Sequence, residues 1–179
     1  MQKDPVVYCA FEGQSGIAAR VAAFRLECLT EDSVEIPFYA QTMTLDLVRQ
    51  SDDLIQAIRA NEICPAVVTL DTLNRSLHGS ENSDEDMGNY IKAADAIREA
   101  FNCAVIIIHH CGIEGTRPRG HTSLTGAADA QLAGKRDRNN NIELKVEWMK
   151  DGDSEGQIVT STLKSVEVGT DSDGEPITS

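Results

Sequence analysis

The sequence predicts an α/β fold, in which a mostly parallel sheet has helices on both of its faces. Strand-like apolar stretches alternate with segments whose apolar residues recur at helical spacing, which is typical of parallel strands joined by crossover helices. Residues 66–70 (AVVTL) and 104–108 (AVIII) are continuous apolar runs, as expected for strands buried on both faces. From residue 142 the alternation stops, and we expect antiparallel strands to be added at the C-terminal edge of the sheet.

Local patterns predict the elements in chain order. The clearest helix begins at Ser83, because its hydroxyl can cap the first turn and because the acidic residues that follow suit the positive end of the helix dipole. Its apolar stripe continues to Phe101. The other predicted helices cover residues 17–28 and a segment around 54–58, and the predicted strands cover residues 5–11, 34–39, 66–70, 104–108, 142–149 and 158–168.

Composition narrows the class of protein. The 179 residues include 29 acidic and 16 basic side chains, which gives a net charge of −13. This charge argues against a broad surface for DNA or an anionic membrane, although a local basic patch can still bind nucleic acid. No apolar run is long enough to span a bilayer, so we expect no membrane association. The five cysteines lack CxxC spacing and predict reduced, mostly buried thiols in a cytoplasmic protein.

Polar residues follow three of the predicted strands at their carboxyl ends. Glu12 follows the first strand, Asp71 follows AVVTL, and His109 and His110 follow AVIII. Ligands of parallel sheets bind beyond these ends, so the three ends together indicate a site. An aspartate directly after a run of apolar β residues has the Walker B arrangement, in which the carboxylate holds Mg²⁺ through water beside a nucleotide's phosphates. Taken alone, Asp71 would be better explained as a cap of the following turn.

Several segments resemble one family. The strings VVTLDTLNRSLHGSENSDEDM, IIIHHCG and RGHTSL resemble the RecA-like hexameric helicase and ATPase domains related to the plasmid replication protein RepA, many of which are carried by phages and prophages. The resemblance extends to YCAFEGQSG near the start and to VEWMKDG and VEVGTDSDG near the end. It implies a three-layer RecA-like core that binds ATP and Mg²⁺. The complete protein would couple ATP hydrolysis to unwinding or remodelling DNA in replication.

The resemblance also implies roles for the residues at the strand ends. Glu12 would be the general base that orients the attacking water, and Asp71 would hold Mg²⁺ through water. His109 and His110 resemble the sensor that reports the state of the γ-phosphate. The alternatives stay open: Glu12 can be a carboxylate at a helix entry, and either histidine can be an ordinary exposed strand end.

Four basic residues resemble positions that act between subunits or on DNA. Arg117 and Arg119 lie in the glycine-rich segment 111–123, which resembles the family's central-channel loop for single-stranded DNA; a solvated loop is the alternative. Arg136 is a candidate substitute for the relatives' arginine finger. Lys150 resembles a basic position that reaches a neighbouring subunit's nucleotide, although a lysine in a hairpin turn explains it equally well. These resemblances imply a homo-oligomer, such as a hexamer.

One motif of the family is missing. Such ATPases begin with a strand and a GxxxxGK[ST] loop that cradles the phosphates, whereas the glycines at 13 and 16 are not followed by a Lys-Ser/Thr pair. We therefore expect residues 1–168 to be an incomplete ATPase core without its phosphate-binding half-site, and residues 169–179 to be a flexible tail. The alternative function is a non-catalytic oligomerisation or DNA-binding module, and a metal-dependent phosphohydrolase is a more distant one.

Overall fold

Four parallel strands form the central sheet of the computed structural model, which describes residues 4–29, 35–110 and 123–179. The strands are β1 (Val6–Ala10), β2 (Phe38–Gln41), β3 (Val67–Asp71) and β4 (Ala104–Ile108). Their order across the sheet is β2-β1-β3-β4, and every neighbouring pair is parallel. The helices are α1 (Ile17–Cys28), α2 (Leu47–Ala60), α3 (Leu73–Ser76), α4 (Asp84–Phe101) and α5 (Ser123–Ala127). The predicted mostly parallel sheet is confirmed.

Helices lie on both faces of this sheet. On one face, Val7 and Leu70 belong to the apolar core that α2 and α4 complete. Side chains alternate between faces along a strand, so Val6 lies on the opposite face, together with its register partner Phe38. There Phe38 shares a groove with Val21 of α1. The sheet is therefore the middle layer of three, as the sequence predicted.

Helix α4 begins and ends where its sequence predicts. The Ser83 side chain accepts a hydrogen bond of 3.2 Å from the amide of Asp86, and the acidic residues 84–86 occupy the first turn. The helix ends at Asn102, whose φ of 49° is in the left-handed region that an asparagine tolerates. The buried stripe of α4 packs against the sheet and consists of Met87, Tyr90, Ala93, Ala94 and Ile97.

Strand β4 differs from its prediction. Its composition indicates burial on both faces, yet within the described residues β4 pairs with β3 alone and is an edge strand. Ile106, the register partner of Thr69, is 47% exposed. The physical reason is that burial of a strand depends on its neighbours as well as on its own residues.

The C-terminal strands are antiparallel, as predicted, and form two sheets of their own in the described chain. One sheet has the order β5-β6-β7, and the other is a hairpin of β8 and β9. Their bounds are β5 (Ala130–Arg136), β6 (Asn141–Met149), β7 (Ile158–Thr162), β8 (Glu167–Thr170) and β9 (Pro176–Thr178). Strand β5 was not predicted, because its AQLAGKR sequence is poor in β-branched and aromatic residues. The single strand predicted at 158–168 is two strands.

The structure bears on two further expectations. The predicted tail at 169–179 contains the end of β8 and all of β9, while its flexibility stays a prediction. Four cysteines fall in the described residues and all are free thiols; Cys9 and Cys103 are buried, whereas Cys28 and Cys64 are exposed. The expectation of mostly buried thiols therefore holds for two of these four. No helix in the described ranges is both long and apolar enough to cross a membrane.

Candidate functional site

The backbone brings Glu12 and Asp71 together at the carboxyl edge of the sheet. The register of β1 and β3 pairs Ala10 with Asp71. Beyond that pair, the carbonyl oxygen of Asp71 accepts hydrogen bonds from the amide of Phe11 at 2.6 Å and from the amide of Glu12 at 3.2 Å. These bonds hold the first residue after β1 and its neighbour against the last residue of β3. Glu12 and Asp71, two residues with carboxylate side chains, are thus neighbours along the backbone at adjacent strand ends.

One oxygen of the Glu12 carboxylate faces three polar groups. The hydroxyl of Thr72 donates to Oε2 at 3.4 Å, Nε of Arg75 lies 3.6 Å from it, and Nε2 of His110 lies 3.9 Å from it. Thr72 is buried, whereas the side chains of Arg75 and Glu12 are 58% and 43% exposed. The Glu12 carboxylate is therefore surrounded by donors and remains open to solvent.

The carboxylate of Asp71 has a different neighbour. The hydroxyl of Tyr8 on β1 donates a hydrogen bond to Oδ2 of Asp71. Burial, then this hydrogen bond and the charge of Asp71, raise the pKa of Tyr8 to about 12, and the positive charge of Arg20 opposes the rise. Tyr8 therefore remains a neutral donor at physiological pH. It orients Asp71 without cancelling the negative charge that a cation would need.

Asp71→Asn is expected to lower the pKa of Tyr8 from about 12 to a value between 12 and its ordinary 10, because the negative charge is lost while the burial remains. A pH titration of the tyrosine ring signals by NMR measures this change. Tyr90 is the internal control, since burial raises its pKa to about 12 as well, and its titration should not move. An unchanged Tyr8 titration in the variant would show that Asp71 does not act on this phenol.

The two predicted sensor histidines follow β4 at the same edge. Ile108, the last residue of β4, is the register partner of Asp71. The imidazole of His110 faces Glu12. His109 lies between the end of β4 and His110. His110 is therefore the better placed of the two to respond to a change at Glu12.

The other predicted site residues lie elsewhere. Arg136 ends β5 and donates to Asn140 at 2.7 Å within the β5–β6 turn. Nζ of Lys150, just after β6, lies 3.7 Å from Asp129 at the start of the same sheet. Both are thus anchored on the antiparallel sheet rather than at the Glu12–Asp71 edge. Arg117 and Arg119 lie outside the described residues, so their DNA-loop role stays a prediction.

Sequence reasoning missed three residues that the structure brings to the edge. Thr72 and Arg75 are there because they follow β3 closely, Thr72 as the cap of the short helix α3 and Arg75 within it. Tyr8 arrives because it is two residues before Ala10 on the same face of β1. Thr72 and Arg75 could have been predicted from the polar residues of DTLNR, because these follow a buried strand directly. No sequence pattern predicts the hydrogen bond of Tyr8 to Asp71, because the two residues are 63 positions apart.

The donor set suits a hard cation bound through water. Carboxylate oxygens are the protein ligands that Mg²⁺ prefers, and Mg²⁺ commonly keeps several waters and takes its remaining ligands from phosphates. Within the described residues no three His, Cys, Asp or Glu side chains are grouped to hold a metal ion by themselves. Asp71 can therefore supply one carboxylate, and Glu12 can accept a proton from a nearby water.

The sheet order, the helices on both faces and the antiparallel strands that follow define a RecA-like α/β domain. A protein-family model described as "AAA domain" matches residues 1–116, and the chain belongs to this family. No curated protein matches the chain. The fold is similar to the RadB recombinase, with a TM-score of 0.61 and 17% identity over 88% of this chain and 74% of that one.

Two further solved structures have the same fold. One is an ATPase domain, with a TM-score of 0.59 and 14% identity over 88% of this chain and 69% of that one. The other is a DnaB-like replicative helicase, described with its interactions with primase, with a TM-score of 0.59 and 13% identity over 88% of this chain. The chain covers 48% of that helicase. At these identities the similarity establishes the fold.

Proposed function

We propose that this chain is the core of a P-loop-type NTPase, which in its complete form couples ATP hydrolysis to unwinding or remodelling DNA in replication. The observation that carries the proposal is the pair of carboxylates, Glu12 and Asp71, at adjacent ends of parallel strands. Family membership and three RecA-like neighbours, two of them an ATPase domain and a replicative helicase, support it. The different surroundings of the two carboxylates suggest different roles.

In this proposal Asp71 holds Mg²⁺ through water, while Glu12 orients and deprotonates the attacking water. The neutral Tyr8 donor supports the role of Asp71, since it leaves the carboxylate charged. The exposure of Glu12 supports its role, since a base must meet water. His110, beside Glu12, would report the state of the γ-phosphate, together with His109, the residue before it at the same strand end.

The phosphate cradle would come from a strand and a GxxxxGK[ST] loop ahead of residue 1. Strand β4 supports this placement, because its AVIII sequence suits a strand buried on both faces, whereas Ile106 is 47% exposed in the described part of the chain. A further parallel strand would pair with the backbone edge of β4 that has no partner within the described residues. The coding sequence ahead of residue 1 is therefore expected to contain GxxxxGK[ST], and its absence would favour the non-catalytic module.

DNA and a second subunit are the partners that this function needs. With a net charge of −13, contact with single-stranded DNA has to be confined to a local basic segment, and Arg117 and Arg119 are the candidates. Arg136 and Lys150, both exposed on the antiparallel sheet, are the candidates for contact with a neighbouring subunit's nucleotide in a homo-oligomer such as a hexamer. Cytoplasmic location would follow from this role.

Residues 1–179 alone are expected to show no significant ATP turnover, because they contain no GxxxxGK[ST] loop whose amides could hold the β-phosphate. Phosphate release with Mg²⁺ and ATP measures this, and Asp71→Ala is the control for contaminating activity. Mg²⁺-dependent hydrolysis that disappears in Asp71→Ala would contradict the expectation, since these residues would then form a sufficient site.

A further inference from the structure

Arg75 forms an ion pair with Glu12 through a side chain that reaches solvent, while the backbone of Arg75 is held in place. Arg75 lies in α3, where Leu73 and Ser76 on either side are buried. The amide of Arg75 donates to the carbonyl of Thr72 at 3.1 Å, and the hydroxyl of Ser76 donates to the same carbonyl at 3.1 Å. The guanidinium group extends from this turn into solvent. It can therefore move while its Cα stays in place.

This ion pair conflicts with the proposed work of Glu12. A general base has to receive a hydrogen bond from the attacking water. In the structure, Oε2 of Glu12 already faces the hydroxyl of Thr72, the guanidinium of Arg75 and, farther off, His110. A water molecule that binds this oxygen has to compete with these groups. Thr72 is buried and His110 lies farther away, so Arg75 is the nearer exposed group that can leave.

A bound nucleotide would compete with Glu12 for the guanidinium of Arg75. An ion pair between exposed side chains contributes little to stability and opens readily. A phosphate group carries more negative charge than a carboxylate and accepts two parallel hydrogen bonds from a guanidinium. A terminal phosphate held near Asp71 would also be within reach of the long Arg75 side chain, because Asp71 and Arg75 both contact Glu12.

We propose that Arg75 is a phosphate-binding switch residue, which pairs with Glu12 in the empty site and moves to the terminal phosphate of a bound nucleoside triphosphate. The movement frees Glu12 to hold water only when the substrate is present. The proposal rests on the proposed function, because it takes Glu12 and Asp71 as two sides of one nucleotide site. No covalent step is involved.

Inorganic tripolyphosphate with Mg²⁺ is the probe, because it has the terminal phosphate of a nucleotide without its base or sugar. Binding to the full chain is followed by calorimetry and by the Nε–H signals of the arginines in ¹⁵N NMR. Arg75→Gln is expected to lower the affinity about tenfold, and Arg75→Lys less, because lysine keeps the charge and loses the paired hydrogen bonds. The matched control is Arg98→Gln, since Arg98 pairs with Asp95 at 3.2 Å and is 51% exposed.

A double-mutant cycle distinguishes a switch from simple charge attraction. Glu12→Gln removes the competitor for Arg75 and should strengthen tripolyphosphate binding. In the Arg75→Gln background the same substitution should increase the affinity by a factor at least about threefold smaller. The reason is that no arginine is then left for Glu12 to compete for. Equal gains in both backgrounds would overturn the switch.

The binding measurements also distinguish failure of the proposed switch from failure of the proposed function on which it rests. If Asp71→Asn weakens Mg²⁺-dependent binding while Arg75→Gln does not, the nucleotide site stands and the switch is wrong. If neither substitution changes binding, both are wrong. The urea midpoint of each variant shows whether it is folded, and little change is expected for Arg75→Gln because its side chain is 58% exposed.

Discussion

Glu12→Gln is expected to reduce ATP turnover by about 10²–10⁴ and to leave nucleotide binding intact, in a protein that carries a GxxxxGK[ST] segment ahead of β1. Glutamine has nearly the size and hydrogen-bonding reach of glutamate but cannot accept a proton at neutral pH. Asp71→Asn should act differently, because it weakens the hold on Mg²⁺ and therefore lowers both Mg²⁺-nucleotide affinity and turnover. Nucleotide affinity and hydrolysis measured on both variants provide the comparison.

The two variants are each other's control. They remove one negative charge each, at adjacent strand ends, so a general electrostatic effect would change both in the same way. If the carboxylates serve only to cap turns, both variants would retain the parental affinity and rate. Hydrolysis at the parental rate by Glu12→Gln would mean that another group activates the water.

Leu70→Ala is expected to lower the free energy of unfolding by about 2–5 kcal/mol, because it leaves a cavity in the core beneath the site. Leu70 is 0% exposed, and it lies in β3 between its register partners Cys9 of β1 and Ile107 of β4. Urea denaturation of the parent and the variant measures the loss.

Ile106→Ala is the matched control for this substitution. It removes a similar volume from the adjacent strand, yet Ile106 is 47% exposed in the described chain. We expect its cost to be well below that of Leu70→Ala, about 1 kcal/mol or less. Equal losses for the two variants would show that the exposed face of β4 is covered in solution.

The surroundings of the two carboxylates explain why one strand edge can serve two roles. Asp71 has a neutral donor, Tyr8, which fixes its orientation and keeps its charge available for a cation. Glu12 is paired with the exposed guanidinium of Arg75, which in our proposal leaves it for a bound phosphate. A metal ligand has to be held in place, whereas a base has to be free at the right moment. The two neighbours match these needs.

The sequence by itself determined the parts that depend on local chemistry. The Ser83 cap and the acidic first turn define the start of α4, and the apolar runs define β3 and β4 within one or two residues. The polar residues Glu12 and Asp71 could be assigned to strand ends for the same reason, since a strand stops where its apolar run stops. Their placement side by side then followed from a parallel sheet.

The tertiary structure decided what depends on pairing between distant segments. The contact of Tyr8 with Asp71 spans 63 residues, and that of Thr72 with Glu12 spans 60, so each exists only in one register of β1 against β3. The edge position of β4 likewise depends on which strand lies beside it. Hydrophobic periodicity records which side chains are buried but not against what they pack. The choice of partners for Asp71 and Glu12 is therefore a property of the folded sheet.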